Sequence, residues 1–292
     1  MNLIEVTTLI EVMKGGSTKP ILVAALNNEG IFAHYVVKLY KTKHERSAYP
    51  TFKECVVNYL IDEFELRTPK CYLAKIPEYI IQSGSKKVTQ FKMENVQQYS
   101  LNERKLSFEY IKASTAGFND QFEFSISEYA TIYAFDFFIL NVDRGGQNNK
   151  PNLMIDDEGF FLIDHELTFN FLNNSNLDDV GEDLHLDSSD LHSDDIIVFE
   201  RIKSLIQQGK TNYNFRKHLF FNKLKQDFDP RIFDDFIFLL EDLSIIKFKL
   251  YIKHLEGNGI ICPSSNLLID YVKFVQENIV SFETSLYNSL SE

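Results

Sequence analysis

The chain of 292 residues carries 30 Lys and Arg against 42 Asp and Glu, a net charge of −12, with 44% apolar and 25% charged residues. That length suffices for one large domain or two lobes around a sizeable core. The acidic balance argues against broad binding to nucleic acid or to an anionic membrane, while leaving room for a local basic cleft.

Three cysteines, Cys55, Cys71 and Cys262, are odd in number and widely spaced. They form no metal motif and suit free thiols in a reducing cytoplasm. The first residues, Met-Asn-Leu-Ile-Glu, have no basic leader and no long apolar run, so no signal peptide is expected. The most apolar late stretch, Ile232 to Ile252, is interrupted by Asp234, Asp235, Glu241, Asp242, Lys247 and Lys249. It reads as an amphipathic helix rather than a membrane span. Twenty-six Phe and no Trp is a skew toward core residues and names no function.

In chain order, Leu3–Met13 reads as a first strand, Lys14 to Pro20 as a turn, and Ile21–Leu26 as a second strand. Asn27 to Gly30 forms another turn and Phe32–Tyr40 a third strand, which together make a meander. From Tyr49 to Phe64 the apolar spacing becomes helical, through Phe52, Val56, Tyr59, Leu60 and Phe64, with Glu54 on this helix. Cys71–Ile76 and Leu106–Ile111 are a fourth and fifth strand, separated by a Gln-, Lys- and Ser-rich surface segment. Ser125–Leu140 is a long helix opening on Ser125-Ile126-Ser127-Glu128, a capping box. A hairpin follows, Asn152–Ile155 and Phe160–Ile163 around Asp156-Asp157-Glu158-Gly159. Beyond it lies an acidic segment from Asn173 to Asp195, then mostly helical periodicity to Leu290. Strands crowd the first 112 residues and helices the rest. The expected class is therefore α+β and bilobal: a small β-rich N-terminal lobe over residues 1–112 and a larger helical lobe over 113–292.

The densest chemistry lies between Phe137 and Glu166. Asp143 and Asn148 sit five apart on a polar loop that leaves the long helix, and Asp164 closes the hairpin. A phosphotransferase needs a base beside its acceptor hydroxyl and oxygen ligands for Mg²⁺, and a short rigid hairpin holds such groups close together. Asn-x-Asp-Arg-Gly-Gly also has a bland reading, as a helix-to-strand turn, but the Asn at +5 and the Asp at +21 favour the chemical one. On that reading Asp143 is the base, and Asn148 and Asp164 are the metal ligands. Upstream, Lys38 ends a strand between Val37 and Leu39, in the place of a phosphate lysine, with Glu54 as a candidate to pair with it and Glu45, Glu63 and Glu65 as nearby alternatives. A water-facing edge-strand lysine is the alternative. Gly15-Gly16-Ser17-Thr18 is small enough for backbone N–H groups to approach phosphate, without Walker spacing. Arg144 has two readings, a phosphate contact or a salt bridge bracing the loop. His165 and Glu166 are expected to shape the loop after Asp164 rather than react. His185 and His192 lie in the acidic segment without a zinc pattern.

Asn141-Val142-Asp143-Arg144 with Asn148, then Pro151-Asn152-Leu153 and Ile163-Asp164-His165, resemble the HipA-like kinase family. Its pattern is N-x-D-R-x-x-x-N-x-N-L followed by I-D-H. The Gly15-Gly16-Ser17 turn, Val37-Lys38 and the Lys53-Glu54 helix start fall where that family keeps its ATP-binding elements. The resemblance spans roughly residues 3 to 170. It implies a bilobal protein-kinase-like fold, ATP with Mg²⁺, and Ser/Thr phosphorylation of proteins. Asp143 is then the base, Lys38 the phosphate lysine, and Asn148 and Asp164 the metal ligands. Asn148-Asn149-Lys150-Pro151 holds two residues beyond the family pattern, so Asn149 competes with Asn148. The implied partners are ATP and a hydroxyl-bearing acceptor, a protein by this reading, in the cytoplasm and with neither nucleic acid nor membrane. A small-molecule kinase and a nucleotide-binding pseudokinase are the competing functions. Autophosphorylation at Ser17 or Thr18 is a further expectation, since charge there would crowd nucleotide phosphates.

Overall fold

The computed structural model describes residues 1–13, 20–77, 79–80, 104–116, 124–145, 151–173, 195–211, 214–229 and 231–291. Gly15, Gly16, Ser17, Thr18, Asn148, Asn149, His185 and His192, together with residues 174–194, lie outside the described residues. The chain is α+β and divides into two compact units, Met1–Arg46 with Pro69–Lys112, and Ser47–Thr68 with Ala113–Glu292.

The first unit is built on five strands: β1 (Asn2–Val12), β2 (Ile21–Asn27), β3 (Phe32–Val37), β4 (Cys71–Lys75) and β5 (Lys105–Glu109). The expected antiparallel meander of β1, β2 and β3 is present. The sheet does not stop there. β5 joins β3 and β4 antiparallel, and β4 returns parallel to β1, pairing Asn2 with Tyr72 and Glu5 with Lys75. The sheet is thus a closed barrel in the order β1-β2-β3-β5-β4. Two register shifts in β1, between Val6 and Thr8 and between Leu9 and Glu11, supply bends of the kind that closure needs. Alternation then sends Ile4, Val6, Ile21, Val23, Ala25, Tyr35 and Val37 into one core. Closure also removes free sheet edges. Lys38 is half-buried just past β3, and its N–H extends the ladder by donating to the Leu106 carbonyl at 2.9 Å. Its ammonium lies 5.6 Å from the Phe108 ring centre and 6.0 Å from that of Tyr40. A short helix, α1 (Thr42–Ser47), which the sequence reading did not separate, follows.

The second unit begins with α2 (Pro50–Glu63), the helix that carries Glu54. Pro at its first position is favoured, since that N–H needs no partner. α3 (Ile126–Phe138) starts at the anticipated box: Ser125 Oγ accepts from Glu128 N–H, and Glu128 accepts from Ser125 N–H at 2.8 Å. The hairpin is β7 (Leu153–Asp156) and β8 (Gly159–Leu162), with a two-residue strand, β6 (Ser114–Thr115), added to β7. Arg67 clamps this hairpin. It pairs bidentately with Asp156 at 2.8 and 2.9 Å, lies 4.0 Å from the Phe161 ring centre, and accepts the Leu162 N–H on its carbonyl.

Helices α4 (Asp195–Gln207), α5 (Phe221–Gln226), α6 (Asp234–Asp242), α7 (Ile245–Gly257), α8 (Ser265–Glu277) and α9 (Ile279–Ser291) complete the unit. The Phe-rich composition is spent here. Phe64, Phe135, Phe138, Phe236, Phe282 and Tyr271 meet as stacked, tilted and edge-on rings within one buried interior. Among the described residues no helix is long and apolar enough to cross a membrane.

Candidate functional site

Asp143, Arg144 and Asp164, the candidate site residues of the central motif, lie in the second unit, where α3 runs out. Leu140 adopts a left-handed conformation at φ 57° and Asn141 N–H bonds back to the Asp136 carbonyl at 2.8 Å, ending the helix within one turn. Asn141 then ties that end to the loop. Its amide donates to Asp136 Oδ1 at 2.8 Å, and its Oδ1 accepts from the Asp143 N–H at 3.1 Å. Asp143 therefore leaves the helix from a fixed backbone position.

Arg144 is fully buried. Its Nε and Nη2 grip both oxygens of Asp136, itself 0% exposed. Nη1 donates to the Asn152 carbonyl at 2.5 Å and, more weakly, to that of Pro151 at 3.4 Å. Nη2 also faces His165 Nε2 at 3.4 Å. A guanidinium only donates, so His165 Nε2 accepts and its Nδ1–H points to Glu54 Oε2, 3.5 Å away. Of the two sequence readings of Arg144, this geometry matches the brace. Burial alone would raise the Asp136 pKa, but the Arg144 and His218 contacts outweigh it and hold the carboxyl at about 2.

Asn152 joins the loop to the hairpin. It sits at φ 48°, a left-handed geometry that Asn tolerates better than most residues. Its amide donates to Asp143 Oδ2 at 2.8 Å, while its carbonyl accepts the Ile163 N–H at 3.2 Å. One residue thus orients the Asp143 carboxylate and fixes the chain immediately before Asp164. Asp164 is half-buried and left-handed as well, at φ 64°, and the next turn is closed by Thr168 Oγ1 donating to the His165 carbonyl at 2.9 Å. Backbone held in so sparse a region persists only where its surroundings over-determine it.

The structure thus links Asp143, Arg144 and the Asp164 loop through Asn152 and His165, and links Glu54 to the same group through His165. Beside Glu54, Lys53 donates to Asn173 Oδ1 at 2.6 Å. Lys38 belongs to the first unit, and Asn148 with the Gly-Ser-Thr turn lies outside the described residues. Sequence reasoning did not single out Asp136, Asn141 or His218, and it quoted Asn152 without assigning it a role. Asn141 and Asn152 stood inside the motif. For His218 there was no local signal, since its partner Asp136 is 82 positions away.

Among the described residues no three His, Cys, Asp or Glu side chains gather as a metal cage. A magnesium–nucleotide site asks for less, one or two carboxylates with waters and phosphates completing the shell. The half-buried oxygen donors of Asp143 and Asp164 fit a hard cation of that kind.

Asp143 after the helix and Asp164 after the hairpin are thus two candidate oxygen donors, with Asn152 holding the carboxylate of the first and the backbone just before the second. A family model described as HipA-like kinase matches residues 6–221 of the 292. The chain belongs to the HipA-like kinase family, and the family points to a kinase. No curated protein and no solved structure matches it.

Proposed function

We propose that this chain is an ATP- and Mg²⁺-dependent phosphotransferase on a bilobal protein-kinase-like fold, acting on Ser or Thr hydroxyls of a protein acceptor in the cytoplasm. The observation that carries the reading is Asn152, whose amide holds Asp143 Oδ2 while its carbonyl anchors Ile163 beside Asp164. Phosphoryl transfer asks mainly for positioning and charge stabilisation, and this link joins a base to a metal ligand without a flexible span between them.

On this reading Asp143 accepts the proton of the acceptor hydroxyl as its oxygen bonds to the γ-phosphorus and the bond to ADP breaks. Asn152 keeps the carboxylate from rotating away. Asp164, with Asn148, would hold Mg²⁺, which when bound offsets the phosphate charge. Lys38 would contact the phosphates, Glu54 would support it, and Gly15 to Thr18 would cover them. Arg144 serves as the brace beneath the loop.

The test is nucleotide binding and γ-phosphate transfer by wild type, Asp143→Asn and Asp164→Asn. ATP with Mg²⁺ is expected to raise the melting temperature of wild type, Asp164→Asn to lose the Mg²⁺-dependent part, and Asp143→Asn to bind while losing turnover. Wild type indifferent to millimolar ATP and Mg²⁺ defeats the reading, and turnover surviving Asp143→Asn removes the assigned base. Transfer to protein substrates, against transfer to small alcohols alone, separates a protein kinase from a small-molecule kinase.

A further inference from the structure

The five residues from Phe215 to Leu219, together with Phe220, approach the catalytic loop at two points. Leu219 N–H donates to the Arg144 carbonyl at 3.1 Å. Gly145, at φ 84°, passes so near that a Cβ there would stand 2.8 Å from Leu219 N and 3.0 Å from the Lys217 carbonyl oxygen. The second approach is a side chain. His218 is buried, and its ring lies edge-on to Tyr133 at 4.8 Å between centres. Its Nδ1 accepts the Phe220 N–H at 3.2 Å, so the proton is on Nε2, which donates to Asp136 Oδ2 at 3.0 Å. Burial, the largest influence, lowers the His218 pKa despite the nearby Asp136 carboxylate, in keeping with a neutral ring in this tautomer.

We propose that His218 is a positioning residue for the reaction at Asp143: it holds the Asp136 carboxylate, which holds the Arg144 guanidinium, which sets the backbone bearing the base. The proposal rests on the phosphotransferase reading above. Asp136 receives Asn141 and Arg144 Nη2 on Oδ1, and Arg144 Nε and His218 on Oδ2. Two donors on each oxygen determine the plane of the carboxylate. Without the fourth, the carboxylate is free to turn toward its remaining donors, and Arg144, bound to both oxygens, turns with it. Arg144 also carries the Asn152 carbonyl, so the disturbance reaches both the backbone of Asp143 and the residue orienting its side chain. Of the nucleotide-site residues proposed above, Lys38 belongs to the first unit, whereas Asp164 and Glu54 adjoin this chain of contacts through Asn152 and His165. A fault here is therefore expected to lower kcat more than it raises the KM for ATP.

The full chain is assayed for Mg²⁺-dependent γ-phosphate release from ATP, with water as acceptor, as wild type and as His218→Phe, His218→Gln and His218→Asn. His218→Phe keeps a ring and removes the donor; kcat is expected to fall about tenfold or more, with KM within about twofold. His218→Gln, whose amide N–H reaches the place of Nε2, is expected to recover most of the rate. His218→Asn, too short to reach Asp136, is not. Nitrogen-15 NMR of the wild-type imidazole is expected to find Nδ1 unprotonated and Nε2 protonated.

Equal rates for folded His218→Gln and His218→Asn overturn the proposal even if His218→Phe does not fold. So does wild-type turnover in folded His218→Phe, or a proton on Nδ1. Wild type without turnover removes the phosphotransferase reading and this proposal together. Wild-type turnover with indifferent variants removes this proposal alone.

Discussion

Asp136→Ala tests the buried brace directly. The Asp136 and Arg144 side chains are both 0% exposed, so removing the carboxylate strands a guanidinium away from water. Breaking one partner of such a pair costs about 3–5 kcal/mol. A second route gives a smaller number. The carboxyl is held down from 3.8 to about 2, and at about 1.4 kcal/mol per pKa unit this is on the order of 2 kcal/mol. The lower figure is reasonable, because a protonated Asp136 still accepts hydrogen bonds that Ala cannot. The sign of the pH dependence follows from the lowered pKa. The ion-pair contribution is complete above the unfolded carboxyl value of 3.8 and is lost as pH falls through it toward about 2. Urea unfolding is therefore expected to find Asp136→Ala weaker than wild type by about 3–5 kcal/mol at pH 7, with the gap narrowing below about pH 4. Asp136→Ala combined with Arg144→Met, which removes the stranded charge, is expected to recover part of the loss. A single variant within about 1 kcal/mol of wild type at pH 7, or a double variant no better than the single, would refute the reasoning.

Two more outcomes follow from the loop and hairpin. Asn152→Ala removes the donor that orients Asp143 Oδ2 and is expected to lower kcat for γ-phosphate release by about ten- to a hundredfold, with KM for ATP little changed; a steady-state profile with unchanged kcat contradicts it. Gly145→Ala forces a Cβ to 2.8 Å from Leu219 N at φ 84°. A loss of about 1–3 kcal/mol is expected in thermal or urea unfolding, and a melting curve identical to wild type contradicts it.

Much of the secondary structure was open to sequence reasoning because its causes are local. Apolar, β-rich runs between turn signals marked β1, β2 and β3, and helical spacing marked α2. Ser125 and Glu128 announced the start of α3, and Asp156 to Gly159 announced the hairpin turn. The motif residues Asp143 and Asp164 were also visible, since their spacing along one loop and one hairpin is itself the signal. That spacing, with Ile163-Asp164-His165, was specific enough to suggest the family to which the chain belongs.

Tertiary structure decided the rest. Strand periodicity does not state partners, so the parallel return of β4 to β1 that closes the barrel follows only from the folded path. The sequence left Arg144 between phosphate contact and brace, because an arginine's type says nothing of whether its guanidinium is buried. Asp136 lies on a helix where an isolated carboxylate looks misplaced among aromatic neighbours. It is tolerable there because Arg144, Asn141 and His218 converge on it. Local spacing thus marked Asp143 and Asp164 as the candidates for chemistry. The convergence of distant chain segments on one buried carboxylate determined how their support is held, since desolvated charge is stable only where folding delivers its partners.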